Sequence, residues 1–300
     1  MKRVQVLLSA YNGEKYLEEQ LNSILAQDYK EISLLARDDG STDRTPDILR
    51  RYAGLYKNVA VYTGGNIGTS GSFLDLLKHA DPTADFYAFS DQDDVWLPEK
   101  IRQAVTRMEQ EDADLPLLYA SGIRLVDERL AQIPFRTGTN AVVPDFGNAL
   151  VENICAGCTQ VFNGALLRIV CNAAPEYMVM HDWWMYLCAS CFGKVLYDPH
   201  AYILYRQHGE NQVGIADSRM KWWTGRIRRF FNSPNLIRRQ AQSFVTVYGS
   251  QNETCRLALW LAENPKNRKE RWRIIRSHRI YRQRKLDDLI YRLLFALGLL

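Results

Sequence analysis

No stretch of this 300-residue sequence stays apolar for the ~18–20 residues that a membrane-spanning helix needs, so an integral membrane protein is not expected. The opening segment MKRVQVLLSAY is basic and then briefly apolar, but it has no small-residue cleavage site. Its VQVLLSA core reads as a buried strand, and the chain is expected to stay in the cytoplasm. There is no internal repeat, no low-complexity tract and no dominant residue type, which excludes disordered, collagen-like and coiled-coil arrays for the bulk of the chain. Cysteine is scarce, at 6 residues, although Cys155/Cys158 and Cys188/Cys191 each have CxxC spacing. Paired CxxC motifs can build a four-thiolate zinc site. Here 29 residues separate the pairs, and the second pair sits inside the apolar, helix-like WWMYLCASCFG. The expectation is therefore small buried thiols in a reducing compartment, and no zinc.

What is present is the composition of a soluble globular protein, 47% hydrophobic and 24% charged, long enough to bury a substantial core without covalent staples. The net charge of +4 is unevenly spread. From Asp217 onward there are 19 Lys and Arg against 6 Asp and Glu, whereas the first 216 residues hold 19 against 28. A basic tail on an acidic body places a boundary near residue 216, giving regions 1–215 and 216–300, and points to an anionic surface as partner.

The first 130 residues alternate strand-like and helix-like segments. VQVLLSA (4–10), ISLLAR (32–37), VAVYT (59–63) and DFYAFS (85–90) read as strands, separated by amphipathic runs at 14–27, 45–56 and 70–79. Another helix is expected from Pro98 to about Glu111, with proline in its first turn. This alternation implies an α/β fold with a mainly parallel sheet wrapped by helices, whose ligands bind at the carboxyl ends of strands. Residues 117–210 are less regular. They hold LLYASGIRLVD, a polar loop at 136–145, CTQVFNGALL, a helix after His181 and two short strands, KVLYD and AYILYR. Beyond 216 the pattern is helical only, rich in Arg and Trp.

Four polar turns follow strands. Ser90-Asp91-Gln92-Asp93-Asp94 comes directly after the apolar DFYAF, and alternation along extended backbone lets Asp91 and Asp93 project to one side. Adjacent carboxylates repel unless protonated or bridged by a cation, and hard oxygen donors suit Mg²⁺ or Mn²⁺. A plain polar turn leading to the Pro98 helix is the alternative, and this segment alone leaves both open. Arg37-Asp38-Asp39-Gly40-Ser41-Thr42-Asp43 offers acceptors to a base N–H or to ribose hydroxyls, or else is a turn with Asp43 capping the next helix. Ala10-Tyr11-Asn12-Gly13-Glu14 presents an aromatic ring for stacking, and the glycines of Gly64-Gly65-Asn66-Ile67-Gly68 permit close approach of backbone to a ligand.

The order of these turns resembles the family 2 glycosyltransferases of GT-A fold, over about residues 3–215. The strings that carry the likeness are SAYNGEKYLEEQLNSILAQ, RDDGSTDRTPDI, FSDQDDVWLPEK, HDWWMYLCAS and YRQHGEN, and they look most like bacterial rhamnosyltransferases of cell-surface polysaccharide synthesis. The resemblance implies that Ala10, Tyr11, Asn12, Glu14, Asp38, Asn66, Gly68, Asp91 and Gln92 bind the donor nucleotide. It also implies that Asp91, Asp93 and His208 hold Mg²⁺ or Mn²⁺, and that Asp182 is the catalytic base. A carboxylate at the start of a helix is favoured in its ionised form, the one that accepts a proton from an acceptor hydroxyl. Asp182 is also explained as a simple capping residue, and the two readings are compatible. His181, Trp183 and Trp184 are candidates for an acceptor site, with core packing the better expectation for one tryptophan. The implied reaction is a single inverting displacement, with dTDP-β-L-rhamnose as donor, an α linkage as product, and a lipid-linked saccharide as acceptor.

The tail mixes basic and aromatic residues at Lys221-Trp222-Trp223, Arg226–Phe231, Arg271-Trp272-Arg273 and Tyr291–Phe295. Such helices suit anionic headgroups at the inner face of the cell membrane, an ordinary solvated bundle, or an oligomer interface. Nothing else in the chain resembles a nucleic-acid-binding module, so none is expected as partner. Rival readings are a UDP-galactose, UDP-glucose or UDP-N-acetylglucosamine transferase, or a non-catalytic scaffold anchored by the tail. A sugar-phosphate nucleotidyltransferase would need a Gly-rich basic loop where SAYNGEKY stands.

Overall fold

The computed structural model describes residues 1–133, 142–172, 175–208, 235–249, 254–263 and 267–298. The expected boundary near 216, the Lys221–Trp223 and Arg226–Phe231 segments and most of the polar loop at 136–145 lie outside them. The chain divides into two compact units, one of Met1–Pro134, Cys155–Ala173 and Met180–Arg206, the other of Phe135–Ile154, Ala174–Val179 and Gln207–Leu300.

The first unit is built on one eight-stranded sheet. Its strands are β1 (Val4–Ala10), β2 (Ile32–Asp38), β3 (Val59–Thr63), β4 (Phe86–Ser90), β5 (Val95–Trp96), β6 (Leu117–Val126), β7 (Val161–Asn163) and β8 (Lys194–Arg206), in the spatial order β3-β2-β1-β4-β7-β6-β8-β5. The half containing β3, β2, β1 and β4 is parallel throughout, while β7 runs antiparallel to both β4 and β6. Parallel strands covered on both faces read as continuous apolar runs, which is why VQVLLSA and FYAFS are buried almost end to end.

The flanking helices take their places through apolar stripes. In α1 (Leu17–Leu25), Leu17, Gln20, Leu21 and Ile24 face inward, at helical spacing. α2 (Thr45–Leu55) carries Pro46 in its first turn, where no backbone donor is lost. α3 (Gly68–His79) follows β3, and α4 (Lys100–Met108) buries Ile101, Ala104, Val105 and Met108.

β8 is the main departure from the sequence-based expectation. In place of two short strands there is one strand of 13 residues, parallel to β6. Its register jumps from Ser121 opposite Asp198 to Gly122 opposite Ala201, so Pro199 and His200 bulge out without ending the strand. Glycine permits this: a Cβ at position 122 would stand 2.7 Å from the Pro199 carbonyl oxygen.

The second unit is helical among its described residues, with α5 (Phe146–Ala149), α8 (Leu236–Tyr248), α9 (Arg256–Ala262), α10 (Arg268–Ser277) and α11 (Lys285–Leu297). α6 (Gly164–Cys171) and α7 (His181–Phe192) belong to the first unit. Within the second, Asp145 caps α5, Phe146 packs against Phe244 of α8, and the Glu152 carboxylate accepts the Gln283 backbone N–H at 2.8 Å. No helix among the described residues is long and apolar enough to cross a membrane.

Candidate active site

Parallel pairing sets the ends of β1, β2 and β4 side by side, with Ala10 opposite Asp38 and Leu8 opposite Ser90. The turns that leave these ends therefore share one rim of the sheet.

On the β2 side, Asp38 is almost fully buried. Its Oδ1 accepts the Ser41 N–H at 3.2 Å, while Oδ2 has no hydrogen-bond partner. A buried carboxylate oxygen left unsatisfied is costly, and a base N–H would satisfy it. Asp39 accepts the backbone N–H groups of Ile67 and Gly68, each at 3.0 Å, and pairs with buried Arg37. Arg37 in turn donates to the Gly65 carbonyl at 3.0 Å and to Asp75 at 3.0 Å. This network fixes the 64–68 turn, which exposes Asn66 and Gly68; the glycine takes φ 74, in the left-handed region.

On the β1 side, the Tyr11 ring is 45% exposed and available for stacking. Asn12 joins its own turn to the acidic turn after β2, donating its N–H to Ser41 Oγ at 2.9 Å and accepting the Thr42 N–H at 2.9 Å. The Glu14 carboxylate accepts the Arg44 backbone N–H at 3.0 Å, so it ties turn to turn. Gln92 does the same between β4 and β1: its Oε1 accepts the Tyr11 N–H at 2.7 Å, and its Nε2 donates to the Tyr11 carbonyl at 3.0 Å. Ala10 is buried beneath this turn.

The acidic cluster lies past β4. Burial, then the charges of Asp93 and Asp182, push the Asp91 carboxyl up to about 7. Asp94 is fully buried and likewise raised, by burial, Asp93 and Asp91, with one carboxylate oxygen unpartnered. Ligand atoms of Asp91, Asp94 and the buried Cys158 thiol lie within 4.8 Å of one another. The sequence paired Asp91 with Asp93; in the structure the atoms grouped with Asp91 are those of Asp94 and Cys158, because the turn folds Asp94 inward, while Asp93 acts on Asp91 through its charge. Opposing this charge is buried Lys100, whose ammonium sits 3.7 Å from the Trp96 ring centroid and is pushed down to about 8 by burial. So much negative charge, with orphaned oxygen, fits a divalent cation.

Asp182 stands in the first turn of α7 and is half-buried. Its Oδ2 accepts the Gly157 N–H at 3.0 Å and Oδ1 that of Trp183 at 2.7 Å, which holds the carboxylate in one orientation. Of the candidate acceptor residues, Trp183 keeps some exposure and Trp184 is fully buried in the core. His181 is buried too, stacked on Phe73 at 4.0 Å and edge-on to Phe89. His208 follows the end of β8 by two residues, half-buried, and belongs to the second unit.

Sequence reasoning passed over Arg206, the last residue of β8. Fully buried, it donates its backbone N–H to Asp94 at 3.2 Å, Nε to the Asp93 carbonyl at 2.8 Å and Nη1 to the Glu128 carbonyl at 2.7 Å. It also pairs with Glu19 and covers the Tyr16 ring at 4.5 Å. The guanidinium thus pins the acidic turn from behind. The one available signal was an arginine ending a strand whose preceding residues, AYILY, are apolar or aromatic.

Comparison with known proteins agrees with this architecture. The dTDP-rhamnosyl transferase RfbG of Shigella flexneri is 30% identical over 254 residues, spanning 75% of this chain and 84% of the relative. An uncharacterized glycosyltransferase of Nostoc sp. is 26% identical, over 72% of this chain and 68% of its own. Among solved structures, S. aureus TarS 1-349 in complex with UDP shares the fold with a TM-score of 0.58 at 20% identity, covering 87% of this chain and 70% of that one. The mannosyltransferase PcManGT from Pyrobaculum calidifontis, in complex with GDP-Man and Mn²⁺, has a TM-score of 0.52 at 16% identity, covering 98% and 87%. The family model for glycosyl transferase family 2 matches residues 5–161, which carry the sheet ends, the acidic turns and Cys158. With that match over half of the chain and a relative at 30% identity, the protein belongs to glycosyl transferase family 2 and is a glycosyltransferase of GT-A fold.

Proposed function

We propose that this enzyme transfers L-rhamnose from dTDP-β-L-rhamnose to a saccharide acceptor during synthesis of a cell-surface polysaccharide, with inversion to an α linkage. The observation that carries the reading is the gathering of Asp91, Asp93, Asp94 and Asp182, in which burial, then the neighbouring carboxylates, push Asp91 up to about 7. The rhamnosyl donor is supported by the likeness to the dTDP-rhamnosyl transferase RfbG of Shigella flexneri. Residues 1–215 form the catalytic region in this reading, and residues 216–300 a basic helical region with a separate role.

The unsatisfied Oδ2 of Asp38 accepts from the base, the exposed Tyr11 ring stacks on it, and Asn66 and Gly68 border the nucleotide. Ala10, Asn12, Glu14 and Gln92 shape the turns that hold those groups. Asp91 and Asp93 would hold Mg²⁺ or Mn²⁺, which would supply charge compensation for the departing diphosphate. Asp182 Oδ takes the proton of the acceptor hydroxyl as that oxygen attacks the anomeric carbon. The new glycosidic bond forms on one face while the bond to the nucleoside diphosphate breaks on the other and its electron pair leaves with the phosphate. Trp183 borders the acceptor. A lipid-linked acceptor places the enzyme at the inner face of the cell membrane.

The test is thermal unfolding with dTDP, UDP, GDP and ADP, each with and without Mn²⁺. Ligand at ~100 times its dissociation constant adds about 2.7 kcal/mol, a readily measured shift. A Mn²⁺-dependent shift largest for dTDP, and absent in Asp93→Ala, is the expected result. A preference for UDP would replace rhamnose with a UDP-sugar, and no shift with any of the four diphosphates would overturn the donor assignment.

A further inference from the structure

The second unit carries an apolar stripe that its own fold leaves uncovered. α11 turns Asp287, Tyr291 and Phe295 inward, at helical spacing. On the opposite side Leu286, Leu289, Leu293 and Leu297 are 54%, 64%, 59% and 58% exposed. Four leucines on one exposed helix face are not a scatter of surface residues but a continuous apolar strip. α10 lies against α11, with the Ile275 carbonyl of α10 accepting from Arg292 at 2.9 Å. The exposed side of α10 is basic: Asn267, Arg268, Lys269, Trp272, Arg273 and Arg276 line a shallow groove of about 730 Å³. Among these residues Trp272 is 44% exposed.

We infer that α10 and α11 form a docking surface for an anionic lipid bilayer, lying in the headgroup layer with the leucines directed to the acyl boundary. This rests on the membrane placement proposed above and names the residues that achieve it. Length supports lying over spanning: 13 residues of helix extend about 20 Å, against a hydrocarbon core of about 30 Å. Charge selects the occupant. Residues 267–298 hold ten Lys and Arg against three Asp and Glu. A symmetric contact with the same helices of a second copy would bring like charge against like, whereas anionic headgroups are attracted by each exposed cation. Tryptophan among cations on one helix and an apolar stripe on the next is the chemistry of helices resting in an interface.

The experiment is co-sedimentation of the full chain with phosphatidylcholine vesicles, alone or mixed with phosphatidylglycerol, at low and high salt. Wild type, Leu289→Ser/Leu293→Ser and Lys269→Glu/Arg273→Glu are compared. These residues are exposed and lie outside the acidic site, so the urea midpoint and the response to dTDP with Mn²⁺ should match wild type. Expected is binding to the anionic vesicles, weakened by salt and lowered about tenfold or more by either double substitution. If wild type ignores anionic vesicles, both the membrane placement and this surface fall. If it binds and the leucine variant binds equally, the placement stands and this surface is overturned. If wild type runs as a dimer that the leucine variant dissolves, with no vesicle binding, the stripe belongs to a second copy.

Discussion

His181 immediately precedes the carboxylate assigned here to proton abstraction, and it is held neutral. It is 4% exposed, neither ring nitrogen has a hydrogen-bond partner, and burial pushes its pKa from 6.5 down to about 3. Between those two values the unfolded chain carries the extra proton and the folded one does not. The folded state therefore loses stability as pH falls through that window, and the loss is absent above it. At pH 4.5 the unfolded imidazole is two units below its own pKa, which amounts to about 2.7 kcal/mol relative to neutral pH. Other groups titrate in the same range, so the quantity to read is a difference between proteins. Urea unfolding of wild type and His181→Leu at pH 7.5 and 4.5 isolates it. The substitution changes absolute stability through packing against Phe73, Phe89 and Gly157, but that change is common to both pH values. The variant is expected to lose about 2.7 kcal/mol less than wild type on acidification. Parallel losses in the two proteins would show that His181 is solvated or paired in solution, and would restore it as a group that meets the acceptor.

Three further substitutions test other parts of the site and fold. Asp182→Asn should keep Mn²⁺-dependent nucleotide binding while lowering transfer by about 10²–10⁴-fold, read by single-turnover assay; wild-type turnover would remove Asp182 from proton transfer. Arg206→Met should cost about 3–5 kcal/mol in urea unfolding and weaken the Mn²⁺ dependence of nucleotide binding, because it strips a buried cation from the Asp93–Asp94 turn. A loss below about 1 kcal/mol would refute that role. Gly122→Ala forces a methyl to within 2.7 Å of the Pro199 carbonyl and should cost about 1–3 kcal/mol, visible as a lowered Tm with nucleotide specificity unchanged. An unaltered Tm would mean that the β8 bulge is loosely packed.

The parallel half of the sheet was legible because buried strands declare themselves as short apolar runs, and the acidic turns because they interrupt those runs at the strand ends. Val4–Ala10, Val59–Thr63 and the start of Ile32–Asp38 fall where the pattern puts them. The sequence pattern divides β8 in two because Pro199-His200 looks like a break. What keeps the strand whole is Gly122 on β6, more than seventy positions away, and no local pattern reports it. The same holds for the support of the acidic turn. Arg206 meets partners 187, 113 and 78 positions distant, so its burial exists only once Glu19, Asp93 and Glu128 have been brought together. Asp94 and Lys100 became visible for the same reason. Each is a charge beside a helix start in sequence, and a buried group in the fold.

The Gln92 carboxamide has a geometric consequence of its own. It offers Tyr11 one acceptor and one donor, the same pair of groups that a peptide unit offers across a β ladder. Backbone pairing between β1 and β4 stops at Leu8 and Ser90, yet the side chain adds one more rung beyond it. The loop that presents the aromatic ring and the turn that presents the carboxylates are thereby fastened into the sheet. This rim of the sheet inherits the stiffness of a strand, so the aromatic ring and the carboxylates keep a fixed spacing whether or not a ligand is bound.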